Sequence, residues 1–270
     1  MRLDNNCAFD AVHIFECGQC FRWNSDENGE YTGVAGGKVC RISKREIICD
    51  SADEDFWKKY FDLDNDYKKI GDTLIKTDEK LESCIKFGNG IRILRQDVWE
   101  TIISFIISAN NNIPRIKGII EKMCVLWGEK ITFEGKEHYS FPKPSVIAQL
   151  KCEDLAPLRA GYRDKYIIDA AKRISSGEID LDELPNMDDA LLKKTLMQIK
   201  GVGGKVADCI MLFSLGRYSV FPTDVWIKRI LKEVYEVEEK EIPQFVTEKY
   251  GDLAGFAQQY LYYYYRDNNI

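Results

Sequence analysis

Apolar and polar residues change their spacing once along this chain, near residue 53. Between Gly18 and Cys49 they alternate in short runs, Gln19-Cys20-Phe21-Arg22-Trp23 and Lys38-Val39-Cys40-Arg41-Ile42. Asp26-Glu27-Asn28-Gly29 and Gly36-Gly37 punctuate those runs, which predicts a small antiparallel sheet. After Asp53 the spacing becomes that of amphipathic helices, joined by short Gly, Pro and Asn breaks. Val98, Trp99, Ile102, Ile103 and Ile106 form a buried helical stripe opening after Asp97 as N-cap and stopping at Asn110-Asn111-Asn112. Pro114 then suits the first turn of the next helix, where its missing N–H costs little. Further helices are expected over 163–175, 187–197, 204–215, 224–236 and 253–265. The expected architecture is α+β, an antiparallel β-domain over 1–52 packed on an all-helical body over 53–270.

Bulk properties narrow the chemistry. A chain of 270 residues, 45% hydrophobic and 30% charged, is globular in composition and holds no apolar run long enough to span a membrane. Its first six residues are too polar for a secretory signal, so the expected location is inside the cell. Nine cysteines in that setting are expected to be reduced thiols. Cys17 and Cys20 form a C-x-x-C, but Cys40 and Cys49 are not spaced as a second ligand pair, so they are read as two half-buried strand thiols. His13 and His138 are the sole histidines, which leaves His-based triads and His-rich metal sites little support. The net charge of -6 argues against indiscriminate binding of polyanions. Lys86, Arg92, Arg95, Arg115, Lys117 and Lys122, and again Arg159, Arg163, Lys165, Lys172 and Arg173, outnumber the acids between them. They are expected to form a local basic surface on an acidic protein, or else solvated helix faces.

The chemistry concentrates in Gln198-Ile199-Lys200-Gly201-Val202-Gly203-Gly204-Lys205-Val206-Ala207-Asp208-Cys209. One helix ends, three glycines allow a tight turn, and an apolar helix starts, with N–H groups free to meet a phosphate oxygen. A P-loop would require Ser or Thr after the lysine and a strand before the glycines, and neither is found. A helix corner with glycine caps and a solvated lysine remains open on this segment alone. Val220-Phe221-Pro222-Thr223-Asp224-Val225-Trp226 follows at the right distance for one helix out and a loop back. That spacing would return the Asp224 carboxylate beside Lys205; alone, Asp224 is an ordinary N-cap.

Together these segments resemble the helix-hairpin-helix glycosylases, whose signature is a hairpin, a Gly/Pro-rich loop and an Asp. The hairpin Gly201 to Cys209 is especially similar to the 8-oxoguanine DNA glycosylase/AP lyase branch, and the chain reads as a bacterial member of the eukaryotic-type group. Leu94 to Asp97, Ser108 to Ile116, Gly161-Tyr162-Arg163, Gly18 to Trp23 and Gly255 to Gln258 also match in order, covering residues 15–265. The lysine marks a bifunctional enzyme, and the lack of any cysteine after Cys209 disfavours the iron–sulfur branch. The resemblance implies two helical subdomains with the lesion pocket between them, no cofactor, no membrane, and a monomer acting on double-stranded DNA that contains 8-oxoguanine. It would work in the cytoplasm at the nucleoid of a prokaryote, or in a nucleus.

The resemblance also implies roles. Lys205 is the nucleophile, made less basic by its helix N-terminus and partial burial, and Asp224 is the essential carboxylate. The Gly18 carbonyl accepts the N7 hydrogen peculiar to 8-oxoguanine, and Gln258 reads the Watson–Crick edge. Tyr262 and Cys209 stack on the two base faces, and Phe213 lines the pocket. Asn110 fills the vacated space, Tyr162 wedges the stack, and Arg115 and Arg163 read the stranded cytosine, unless both are surface arginines. Gly201, Gly203 and Gly204 form the phosphate grip, and the carbonyls of Met197, Ile199 and Val202 are a possible monovalent cation site. Three departures from the family stand out: Lys200 for a proline, Trp226 for a histidine near the lesion phosphate, and Phe213 for a methionine; Tyr262 takes the place of a usual phenylalanine. The competing expectations are a non-catalytic helix-hairpin-helix DNA-binding module and a glycosylase for oxidised pyrimidines.

Overall fold

A computed structural model describes residues 1–4 and 7–268; Asn5 and Asn6, in the polar N-terminal stretch, lie outside the described residues. Helix α1 (Ala11–Glu16) precedes a meander of β1 (Trp23–Ser25), β2 (Tyr31–Ala35), β3 (Lys38–Ser43) and β4 (Glu46–Cys49), paired antiparallel in that order. The sheet pairs Trp23 with Gly33, and a Cβ on Gly33 would lie 2.3 Å from the Trp23 ring, so only glycine lets that indole cross the neighbouring strand. Phe15 stacks on Trp23 at 4.0 Å, and Trp57, Tyr60 and Phe61 from α2 (Glu54–Tyr60) and its end close the same core. The packing unit of the sheet therefore runs past residue 52.

The body follows as α3 (Tyr67–Thr77), α4 (Leu81–Phe87), α5 (Val98–Ser108) and α6 (Ile113–Trp127). A hairpin of β5 (Lys130–Phe133) and β6 (Lys136–Tyr139) comes next, then α7 (Pro144–Ile147), α8 (Asp164–Ser175) and α9 (Asp189–Leu196). The chain closes with α10 (Gly204–Phe213), α11 (Val225–Tyr235), α12 (Ile242–Tyr250) and α13 (Ala254–Asp267). Asp97, Asn112 and Asp224 cap α5, α6 and α11 through side-chain hydrogen bonds to N3 amides at 2.8, 3.0 and 2.9 Å. Helix α5 is buried on every side from Trp99 to Ile107, so it is the axis around which the body packs.

Several expectations need correction. Gln19 to Arg22 is a loop: Gln19 is fully buried and its amide holds the carbonyls of Ile14 and Arg92 and the N–H of Leu94, pinning the N-terminal unit to the body. Cys17 and Cys20 are accordingly fully buried loop thiols, and burial pushes Cys17 up to about 11. The body is not all helix, because Lys130 to Tyr139 pairs through Glu134 and Gly135, both at positive φ. Arg41 of β3 bonds Glu134 at 2.8 Å, which ties this hairpin to the first sheet. The basic surface is narrower than charge counting suggested. Arg92 is buried and donates to the carbonyl of Ala8, while Lys86, Arg95, Lys117 and Arg173 face Glu82, Asp62, Glu16 and Asp169. Glu82 and Asp169 lie one helical turn from their cations, whereas Asp62 and Glu16 return from far along the chain. Among the described residues no helix is long and apolar enough to cross a membrane, and no group of three or more His, Cys, Asp or Glu could hold a metal ion.

Candidate active site

Five segments of the chain meet at one pocket lined by Gly18, Phe105, Lys205, Cys209, Phe213, Asp224, Gln258 and Tyr262. Helix α10 carries Lys205, Cys209 and Phe213 on one face at helical spacing. Asp224 returns as N-cap of α11, as the spacing predicted, and α13 supplies Gln258 and Tyr262 one turn apart. The enclosed space is about 40 Å³, room for a few waters and short of a purine, so the walls must part for a base to fit.

Gly18 has φ +87, and a Cβ there would lie 3.3 Å from the Tyr262 ring. The carbonyls on either side are occupied, Cys17 by the Gln259 amide at 3.0 Å and Gln19 by the Gln96 amide at 2.7 Å. The Gly18 carbonyl accepts no hydrogen bond from the described residues. Opposite, Gln258 is 5% exposed and its Oε1 is buried without a partner. An amide oxygen left so costs about 1–3 kcal/mol unless a ligand satisfies it. Phe105, which falls outside the predicted stripe of the same helix, is a pocket wall: it stacks on Phe213 at 5.7 Å and lies 5.5 Å from the Lys205 ammonium. Arg266 was missed as well; it donates to the Glu16 carbonyl at 2.8 Å and lies 5.7 Å from the Tyr262 ring. No sequence signal separates such residues from ordinary packing, because their role depends on which helices meet.

Burial acts to lower the pKa of Lys205, but the neighbouring Cys209 and the Asp224 carboxylate outweigh it, so the net shift is upward. The expectation of a less basic amine is thus reversed in the free protein, because the helix brings an acid and a thiol to the same wall. Burial pushes the Cys209 thiol up to about 11, against the pull of Lys205.

The hairpin is held from behind by α8. Gly201 has φ +90, and a Cβ there would sit 2.7 Å from the Tyr166 ring. The Lys200 N–H donates to Asp169 at 3.2 Å and its ammonium lies 3.0 Å from the same carboxylate. A proline could make neither contact, which gives the departure at Lys200 a structural reason. Gly203 caps α10 in an extended conformation with open space where a Cβ would point, and Gly204 is nearly as free. The Ile199 carbonyl accepts the Val202 N–H at 3.0 Å, whereas those of Met197 and Val202 accept nothing from the described residues. Neutral carbonyl oxygens without a carboxylate suit a monovalent cation.

Asn110 is exposed at φ 50 in the turn between α5 and α6. Arg115 is exposed and donates to the Arg159 carbonyl at 3.0 Å. Arg163 is no surface arginine: it is 4% exposed, donates to the carbonyls of Ala109, Asn110 and Ala160, and has a buried, unpartnered Nε. Tyr162 is half exposed, with its ring 4.5 Å from the Arg163 guanidinium. The asparagine turn and the Tyr162-Arg163 pair are thus one unit beside the pocket.

Residues 2–102 match the family model described as 8-oxoguanine DNA glycosylase, N-terminal domain, and residues 103–253 match that of the HhH-GPD superfamily base excision DNA repair protein. The chain is 33% identical to the N-glycosylase/DNA lyase of Saccharomyces cerevisiae over 86% of its own length and 70% of the relative's. It superposes with a TM-score of 0.94 and 48% identity on MBOgg1 in complex with a low affinity DNA ligand, covering 98% of this chain and 95% of that one. The Clostridium acetobutylicum 8-oxoguanine glycosylase/lyase, solved with double-stranded DNA containing cytosine opposite 8-oxoG, gives 0.91 and 43% identity over 97% and 93%.

Proposed function

This chain belongs to the HhH-GPD superfamily of base excision DNA repair proteins, and from that membership and the pocket's geometry we propose that it excises 8-oxoguanine from duplex DNA and cuts the strand. The observation that carries the reading is the convergence of Lys205 and Asp224 with the unpartnered Gln258 oxygen and the free Gly18 carbonyl on one pocket. The relatives named N-glycosylase/DNA lyase and 8-oxoguanine glycosylase/lyase support the same substrate and the same two reactions.

The base leaves the stack and enters between Tyr262 and Cys209. Gly18 accepts its N7 hydrogen and so rejects guanine, whose N7 is an acceptor, while Gln258 reads the Watson–Crick edge. Lys205 attacks C1′ with its lone pair after losing a proton. The electrons of the C1′–N9 bond leave with the base, and Asp224 stabilises the positive charge that builds on the sugar. The aminal opens to a Schiff base, and removal of a C2′ proton expels the 3′ phosphate oxygen. Gly201, Gly203 and Gly204 hold a phosphate through the N–H groups at the start of α10, with a monovalent cation on the carbonyls of Met197, Ile199 and Val202. Asn110 occupies the gap, Tyr162 wedges the stack, and Arg115 and Arg163 meet the orphaned cytosine once Arg163 exchanges its backbone carbonyls for the base. The same reading takes the protein to be a monomer that works wherever the cell keeps its DNA.

Borohydride trapping tests the reading. The wild-type protein should form a permanent cross-link with an 8-oxoguanine duplex, and Lys205→Gln should bind that duplex without cross-linking or turnover. Binding unaffected by Lys205→Gln with no wild-type turnover would instead support a non-catalytic module. Release of thymine glycol without 8-oxoguanine activity would overturn the pocket assignment.

A further inference from the structure

Val225 and Trp226 open α11 directly after Asp224 and are 82% and 41% exposed. Trp23 and Trp99 are buried with their indole N–H groups bonded to the Tyr60 hydroxyl and the Pro142 carbonyl. Tyr162, an exposed aromatic on the same side of the pocket, is braced by Arg163 and by Tyr166. Trp226 alone among these has no ring partner, no cation over its face and no hydrogen bond to the described residues. A large rigid ring left bare beside a reactive lysine calls for a ligand to cover it.

The surroundings say which part of a ligand. Trp226 and Val225 line a groove of about 480 Å³ that runs to Asn110 and Ile113 and shares Gly18, Phe105, Lys205, Asp224 and Tyr262 with the base pocket. Because the groove opens into the base pocket, a strand whose flipped nucleotide presents its C1′ to Lys205 would continue along it. Lys205 is the only cation in the groove wall among the described residues, so a phosphate would meet no surface charge at its far end. An indole face suits the apolar face of a deoxyribose and its base instead.

We propose that Trp226 is a DNA-contacting residue whose indole packs on the deoxyribose and base of the nucleotide next to the flipped lesion, an apolar grip on the damaged strand. The proposal rests on the assignment of Lys205 as the group that attacks C1′, since that fixes where the strand runs. An apolar contact adds affinity without releasing counterions, so its loss lowers binding at every salt concentration by the same factor.

Binding of a fluorescein-labelled 8-oxoguanine duplex is measured by anisotropy in the Lys205→Gln protein, from about 50 to about 200 mM salt. Trp226→Ala is expected to weaken binding about 10- to 100-fold with the slope of log affinity against log salt unchanged, and Trp226→Phe to restore most of the loss. Acrylamide should quench an exposed tryptophan component in the free protein that the duplex protects and that Trp226→Phe removes. Wild-type affinity in Trp226→Ala, a change of slope by about one, or continued quenching in the complex would each overturn the proposal. Borohydride trapping by the protein with Lys205 intact decides the catalytic assignment separately. A cross-link that forms alongside an unaffected Trp226→Ala variant sinks the tryptophan contact alone, and an absent cross-link with the tryptophan effects present sinks the lysine assignment.

Discussion

The hairpin offers a paired test in which two glycines two positions apart should fail for different reasons. At Gly201 the backbone sits at φ +90, so alanine pays about 1–2 kcal/mol for a left-handed conformation. Its Cβ would also press on the Tyr166 ring at 2.7 Å, and displacing a packed ring costs about 1–3 kcal/mol more. Gly201→Ala should therefore destabilise the protein by about 2–5 kcal/mol, read as a lower urea midpoint with unchanged slope. Adding Tyr166→Ala should return the steric part and leave the conformational part. At Gly203 the backbone is extended and no atom lies within 4 Å of an added Cβ. The small loss of a glycine N-cap and the small gain from a stiffer unfolded chain nearly cancel, so Gly203→Ala should change stability by less than about 0.5 kcal/mol. Yet a methyl there would stand between the α10 N–H groups and a phosphate, and losing a charge-assisted hydrogen bond of about 1.5–3 kcal/mol weakens duplex binding about 10- to 150-fold. A Gly203→Ala protein that binds duplex as the wild type does would refute the claim that this turn grips DNA.

Three further outcomes follow from the site. Because the Lys205 pKa is raised, the neutral amine is a small fraction at neutral pH and grows tenfold per pH unit, so single-turnover trapping should climb steeply from about pH 6 to about pH 9; a flat profile would show that the proton has already left in the complex. Gln258→Ala removes the reader of the base edge and should slow 8-oxoguanine excision about 10- to 150-fold while sparing trapping on a ready-made abasic site, and equal losses on both substrates would mark Gln258 as structural. Burial works against ionisation of Asp169, but its bonds to Lys200 and Arg173 outweigh that and hold its pKa low. The folded state then favours the carboxylate, a contribution present above the unfolded value near 3.9 and lost as pH falls through the lowered one. Asp169→Asn should lower stability at neutral pH and converge with wild type in acid, as followed by thermal unfolding, whereas a constant difference at all pH values would remove the ionic explanation.

Much of this protein was legible in its residues. The capping aspartates Asp97 and Asp224 and the first-turn Pro114 marked helix starts within a residue or two, since caps and first-turn prolines act locally. The Gly201 to Lys205 turn and Asp224 were readable because a hairpin and a helix's length of separation are local too. The hairpin at Lys130 to Tyr139 escaped because its alternation is brief and its Glu134-Gly135 turn lacks the usual Asn-Gly signal.

What folding alone decided is the company each charge keeps. Burial, pairing and pKa depend on neighbours within a few ångströms, and many of those neighbours are far away along the chain. Arg92 and Arg163 look like surface cations in sequence and are interior in space. Lys205 gained basicity from Cys209 and Asp224 rather than losing it to burial, and Phe105, outside the predicted stripe, became a pocket wall. Residue type and spacing select the reaction, whereas distances across the packed core set the protonation state in which it starts.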